Sequence, residues 1–294
     1  YMGKARFMPR IGFRESLGAR ELAPDTEIEG WGLMDDVFFT KAGDRVLRLA
    51  EREEPWFATL LNVGTHHPFP QAPRVESAVE EWQEFDRGVA AGTAELGKKR
   101  QTSFSAMTQE LLALLERLDD NGVFDDTLVV VTSDESGGFI EKADDVRETN
   151  LLAGNFGFMA VRPPAGMARD ALRGRDELVG HIDLALTVAD AAGIAEDDPG
   201  VDRMIGHSLF ARDDDRERGL MLGNTYSGQT FFLLESGQLM VCAETLLRCD
   251  DWTFEPDRVI GSLQPEDDGE LLDSETRNRL VERAGLIDDG ARGE

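Results

Sequence analysis

Two short apolar runs, each ending in residues able to bind a ligand, constrain this chain most. Residues 56–63 (Trp-Phe-Ala-Thr-Leu-Leu-Asn-Val) open into Thr65-His66-His67-Pro68-Phe69. Residues 127–132 (Thr-Leu-Val-Val-Val-Thr) run straight into Ser133-Asp134-Glu135-Ser136-Gly137-Gly138. A strand that reads as near-continuously apolar is one covered on both faces, as in α/β layered sheets. In such sheets ligands gather in the crevice beyond the carboxyl ends of the strands. Imidazoles at one strand end and carboxylates at another therefore predict a metal or phosphate site rather than a plain binding module.

The elements between these runs fit the same class. Asp35 or Asp36 is the expected N-cap of a helix reaching about Arg52, with Val37, Phe38, Val46, Leu49 and Ala50 on its apolar stripe. Glu53-Glu54-Pro55 stops it. Residues 71–100 are polar and weakly patterned. Phe104, Met107, Leu111, Leu114, Leu115 and Leu118 then recur at helical spacing, and Asn121-Gly122 supplies a left-handed end. Phe124-Asp125-Asp126 turns the chain into the second apolar strand. Residues 156–161 predict a third core strand, closed by Pro163-Pro164, and residues 183–192 a helix ended by Gly193.

Beyond Arg212 the texture changes. Short β-type runs at 220–222, 230–234 and 238–243, punctuated by Gly228 and Gly237, predict a small antiparallel sheet. A helix over 274–284 and an acidic tail follow. The expected fold is α/β, with a largely parallel central sheet flanked by helices and a small C-terminal antiparallel sheet and helix. The expected division is a catalytic-type domain over 1–211 and an α+β subdomain over 212–294.

Charge narrows the partners. The chain has 31 Lys and Arg against 58 Asp and Glu, a net charge of −27. Nucleic acid and anionic lipid headgroups would be repelled. Lysine is scarce, 5 beside 26 arginines, and clusters such as Asp213–Asp215 and Glu196–Asp198 fit solvated loops. No segment has the uninterrupted apolar length of a membrane span. No signal-peptide pattern opens the chain, which starts at Tyr1 and reads as a fragment. Cys242 and Cys249 are too few for a disulfide scaffold and lack metal-ligand spacing. A pair and a buried free thiol both stay open.

Among candidate site residues, Asp134 sits where a strand end holds a carboxylate rigidly enough to ligate a divalent cation, and Glu135 adjoins it. Successive side chains on extended backbone point apart, so one of His66 and His67 is expected to face a site. His181 and His207 read as structural. Thr132, Ser133 and Ser136 carry hydroxyls but lack a nucleophile-elbow setting.

These segments together resemble a known family. Gly12-Phe13, then Gly30-Trp31-Gly32-Leu33 with Asp35, then Trp56–Leu60 leading to Thr65–Phe69, resemble the lipoteichoic-acid synthase and phosphoglycerol transferase branch of the sulfatase-like hydrolases, in the alkaline-phosphatase superfamily. Phe124–Asp134 resembles that family's strand leading to an aspartate-histidine-glycine step. Gly180-His181-Ile182-Asp183-Leu184-Ala185-Leu186-Thr187 and Gly206-His207-Ser208-Leu209 resemble two later motifs in the right order. The resemblance covers about residues 10–210, the C-terminal two thirds of such a domain.

It implies an alkaline-phosphatase-like fold and one divalent cation: manganese, with magnesium or calcium as alternatives. By this likeness Asp134 and Glu135 are the metal ligands and His66 is the catalytic histidine near the transferred group. Trp31, Asp35 and His67 line the substrate pocket. The implied function is a metal-dependent phosphoglycerol transferase, or a phosphoric or sulfuric ester hydrolase, acting on an anionic glycan or lipid-linked polymer outside the cytoplasm. Any membrane attachment would come from a segment before Tyr1.

Three departures qualify the likeness, one of them Leu186 in place of the family's proline in the helix-start motif. The histidine that follows the family's metal-binding aspartate is Glu135 here, which adds negative charge and favours hard cations. The family's nucleophile and first metal-binding acid fall in a segment before Gly12 that this sequence lacks. The last two motivate the alternative, a catalytically inactive domain that binds a glycan or a partner protein.

Overall fold

A computed structural model describes residues 4–28, 32–66, 94–134, 157–167, 179–195, 197–201, 204, 206–210, 219–224, 229–234, 238–242, 249–254, 263–265, 275 and 278. Contacts divide the chain into two units, Tyr1–Asp125 and Asp126–Glu294.

In the first unit, short helices α1 (Lys4–Phe7) and α2 (Ala19–Leu22) precede α3 (Asp35–Ala50) and α4 (Ala94–Asp120). Helix α3 starts at Asp35 with Met34 before it and no side-chain cap, so neither Asp35 nor Asp36 is the N-cap. Asp35 lies inside the first turn, and its carboxylate is engaged elsewhere. The buried face of α3 is Phe39, Ala42, Gly43 and Val46, displaced from the expected stripe because Val37 and Phe38 stay half-buried.

That face packs on α4, whose buried residues include Ala106, Leu114 and Leu118. Gly43 permits close approach, since a Cβ there would lie 2.8 Å from Leu114 Cδ1. Full burial contributes about 2 kcal/mol for each Phe, Val or Leu side chain. The half-exposed Arg117–Asp44 ion pair between the same helices, at 2.6 Å, contributes about 0.5 kcal/mol. Packing, not charge, holds α3 to α4. Helix α4 ends as expected, with Gly122 at φ +71°.

The run Trp56–Val63 departs from expectation. It forms no strand, and Phe57, Leu60 and Leu61 are 61%, 41% and 51% exposed. An apolar strand needs a covering layer on both faces, and among the described residues no strand pairs with this one. Phe57 makes one tilted ring contact with Phe13, centroids 5.7 Å apart.

In the second unit, β1 (Val129–Thr132) and β2 (Met159–Arg162) pair antiparallel, with Val129 opposite Arg162 and Thr132 opposite Met159. Both expected core strands exist here, though shorter than predicted and in a two-stranded antiparallel ladder. Pro163 is buried directly after β2 and ends it. A single 3-10 turn (His181–Asp183) leads into α5 (Leu184–Ala191), which closes at Gly193 with φ +69°.

Strands β3 (Gly219–Asn224), β4 (Gln229–Leu234), β5 (Gln238–Cys242), β6 (Cys249–Phe254) and β7 (Leu263–Pro265) form an antiparallel meander in chain order. The expected C-terminal antiparallel sheet is present, with two strands beyond the three predicted. Leu220 and Met240 lie in adjacent cross-strand rows, hence on opposite faces, and both are buried. The sheet is therefore covered on both sides at these positions. Of the expected terminal helix, Glu275 and Asn278 are described, both helical and exposed. Among the described residues no helix is long and apolar enough to cross a membrane.

Candidate functional site

Each unit carries part of the sequence-predicted site. In the first, the turn after Val63 is closed by the His66 N–H donating to the Val63 carbonyl at 3.0 Å, which leaves the His66 side chain exposed. The preceding residues fold over the start of α3. Asn62 Nδ2 donates to Asp35 Oδ1 at 3.3 Å, and the Gly64 N–H also donates to that carboxylate. Gly64 has to be glycine, because a Cβ would overlap the Asp35 carboxylate. Gly32 is held as tightly, with its Cβ position 2.7 Å from Val63 Cγ2.

Asp35 is 1% exposed. Burial pushes its carboxyl up to about 6, against the opposing pull of the Asn62 and Gly64 donors, with Glu110 and Asp36 adding repulsion. Asp35 thus ties the His66 turn to helix α3, with its carboxyl raised by burial to about 6. Trp31 and His67, the other expected substrate-binding residues, lie outside the described residues.

In the second unit the end of β1 is locked by a dense set of bonds. The Ser133 N–H donates to the Phe158 carbonyl at 3.2 Å, and the Phe158 N–H donates back to Ser133 Oγ at 3.0 Å. Gly157 allows this, since a side chain there would strike Ser133 Oγ. Thr132 Oγ1 lies 2.9 Å from the Phe158 carbonyl oxygen and 3.0 Å from His181 Nε2. A hydroxyl has one proton, and a carbonyl can only accept. Thr132 therefore donates to Phe158 and accepts from the His181 Nε2–H. Neither Thr132 nor Ser133 is arranged as a base-activated nucleophile. Asp134 follows at once, exposed beyond the strand.

The segment that presents His181 is itself pinned from below. Asp183, 3% exposed, accepts from the Gly180 N–H through Oδ2 and from the His207 N–H through Oδ1, both at 2.8 Å. Thr187 Oγ1 donates to the Asp183 carbonyl at 2.7 Å and accepts from the Leu209 N–H at 3.0 Å. Gly206, at φ +105°, brings its backbone against Ile182, where a Cβ would lie 2.5 Å from the carbonyl oxygen. The motifs Gly180–Thr187 and Gly206–Leu209 are thus one structure, knitted by Asp183 and Thr187.

Sequence reasoning weighed His181 as structural, and the structure gives it a partner at the strand end that carries Asp134. The available signal was the Asp183 to Thr187 spacing of one helical turn directly after the histidine. His207 contributes its backbone N–H, in keeping with a structural role.

Asp134 offers one hard oxygen donor suited to Mg, Mn or Ca. Glu135, the other expected ligand, lies outside the described residues. Among the described residues no group of three or more His, Cys, Asp or Glu side chains is assembled to hold a metal. The fit to a divalent cation therefore rests on Asp134 and on the type of its neighbour.

Comparison with known proteins follows the same lines. The sulfatase family model matches residues 2–194. A protein in the alkaline phosphatase superfamily from Vibrio parahaemolyticus superposes with a TM-score of 0.67 at 15% identity, covering 95% of this chain and 60% of that one. The solved structure of Ps i-CgsB in complex with k-i-k-neocarrahexaose gives a TM-score of 0.46 at 16% identity, over 96% of this chain and 60% of that one. The chain thus spans about 60% of the length of the solved structures it matches. No curated protein matches it. The first of these likenesses assigns an alkaline-phosphatase-like α/β fold.

Proposed function

The chain belongs to the sulfatase family, and we propose on that premise that it forms part of a metal-dependent phosphoglycerol transferase or of a phosphoric or sulfuric ester hydrolase. The substrate class is an anionic glycan or a lipid-linked polymer. The observation that carries this reading is the end of β1, where Asp134 projects beyond a strand terminus locked by Ser133, Phe158, Thr132 and His181.

In this reading Asp134 and Glu135 hold one divalent cation, manganese first and magnesium or calcium otherwise. The cation would supply charge stabilisation at the transferring phosphoryl or sulfuryl group. The remaining roles fall to the chain. Thr132 and His181 fix the direction of the strand end, so that the Asp134 carboxylate is held before the ligand arrives. His66 donates a hydrogen bond or proton to the transferred group, and Trp31, Asp35 and His67 line the pocket. The reading includes a largely parallel central sheet for the whole catalytic domain, a catalytic part over 1–211 followed by a subdomain over 212–294, and a place on the outer side of a membrane.

The test is an assay of the full-length parent protein with Mn on phosphate, sulfate and glycerol-phosphate esters. Release from any one of them, lost in Asp134→Ala, is the expected result. No release from any ester overturns it. Glu135 in the histidine position favours a second reading, an inactive domain that binds a glycan or partner protein. Glu135→His separates the two: restored metal affinity and turnover identify a decayed enzyme, and unchanged tight binding identifies Glu135 as a working ligand.

A further inference from the structure

Cys242 ends β5 and Cys249 begins β6, and the register of that pair sets them directly opposite each other. They are the only two cysteines in 294 residues. From this juxtaposition we propose that Cys242 and Cys249 form a cross-strand disulfide that staples the β5–β6 hairpin. The inference uses register alone and is independent of the ester chemistry proposed above.

The geometry fits the bond. Directly opposed residues on antiparallel strands have Cα atoms about 4.5 or 5.5 Å apart, according to whether the pair is non-hydrogen-bonded or hydrogen-bonded. Disulfides span Cα separations of about 4.4–6.8 Å, so either case lies in range without moving the backbone. Opposed residues also share a face of the sheet. By strand alternation Cys242 stands on the same face of β5 as Met240, and Met240 is buried. The pair is the last rung of the described β5–β6 ladder. A covalent link there holds the last rung of β5 against β6 and keeps the hairpin from fraying.

The chemistry is thiol–disulfide exchange with a low-molecular-weight or protein disulfide as oxidant. One thiolate of the pair attacks the oxidant, forming a mixed disulfide and releasing one thiol. The second thiolate then displaces the other half. The chain loses two electrons and two protons overall, and the oxidant disulfide becomes two thiols. Such a bond persists in an oxidising compartment and is reduced in a cytosol.

The experiment equilibrates the full chain with oxidised and reduced glutathione, folded and in urea, then alkylates and weighs it. The expected folded product is a monomer 2 Da lighter than the reduced chain, with no alkylatable thiol in denaturant after oxidation and two after reduction. Strand register predicts at least a tenfold stronger preference for the intramolecular bond in the folded chain than in urea. Cys242→Ser should leave one alkylatable thiol at Cys249, and reduction of the wild type should lower Tm by about 5 °C. Two thiols remaining on the folded monomer, a disulfide between two chains, or equal oxidation folded and unfolded would each overturn the proposal.

Discussion

Nε2 of His181 lies 3.0 Å from Oγ1 of Thr132, joining the turn before α5 to the last residue of β1 across 49 positions of sequence. Because Thr132 spends its proton on the Phe158 carbonyl, the bond requires a proton on Nε2 of the imidazole. The neutral ring then keeps its lone pair on Nδ1. This contact fixes a tautomer and adds to the bonds that hold the strand end preceding Asp134.

Nitrogen-15 NMR of His181 in its neutral form should therefore show the proton on Nε2. Thr132→Val removes the acceptor and costs about 1 kcal/mol of stability, the usual net worth of one such bond. A neutral ring protonated at Nδ1 in the wild type would contradict the hydrogen-bond assignment.

Asp183 is expected to be the most costly polar truncation in this part of the chain. Its buried carboxylate satisfies the N–H groups of Gly180 and His207, 24 residues apart from its own position in the second case. Asp183→Ala strands both donors and should cost about 3 kcal/mol. Asp183→Asn keeps one acceptor oxygen and should cost roughly half as much. Urea denaturation of the three proteins side by side gives the comparison, and a cost below about 1 kcal/mol for the alanine variant would deny Asp183 its role as the tie between the two motifs.

Asp35 predicts a pH dependence of opposite sign to the usual carboxylate. Its folded value, about 6, stands above the ordinary 3.8, so the folded chain holds a proton that the unfolded chain releases. This contribution is fully present below pH 3.8 and declines as pH rises through about 6. A shift of this size is worth up to about 3 kcal/mol. Asp35→Asn removes the titration, so the difference in stability between variant and wild type should grow in the variant's favour from pH 4 to pH 7. A difference that stays flat over that range would show that Asp35 is not desolvated in solution.

Metal binding supplies the fourth test. On the proposed assignment of Asp134 as a ligand, Asp134→Ala should weaken manganese binding to the full-length parent protein about tenfold or more by calorimetry. Equal affinity in the variant would move the cation elsewhere.

Much of the local structure was legible in the sequence because it depends on neighbours along the chain. The helix over 35–50, the 104–118 part of α4 and the helix over 184–191 follow from apolar spacing, whereas α4 begins at Ala94, ahead of the patterned stretch; Gly122 and Gly193 mark two ends because each adopts a left-handed conformation. The first three strands of the antiparallel meander follow from short apolar runs separated by glycine; β6 and β7 do not. The strand signal at 127–132 and the carboxylate at its end were equally plain, as was the family likeness that the 2–194 match bears out at the level of sulfatases.

What the sequence could not convey is what covers an apolar run, or which distant group meets a side chain. Trp56–Val63 has the composition of a buried strand, yet composition states only that burial would be favourable, and Phe57 and Leu61 stand more than half exposed. Phe39 rather than Phe38 turns inward because the position of α4 chooses the face of α3. The direction of β2 against β1, the burial of Asp35 under Asn62 and Gly64 and the meeting of His181 with Thr132 all depend on long-range pairing. Local propensity is a property of a few adjacent residues. These pairings are decided by loop closure and packing among residues far apart in the chain, and only the tertiary structure holds that information.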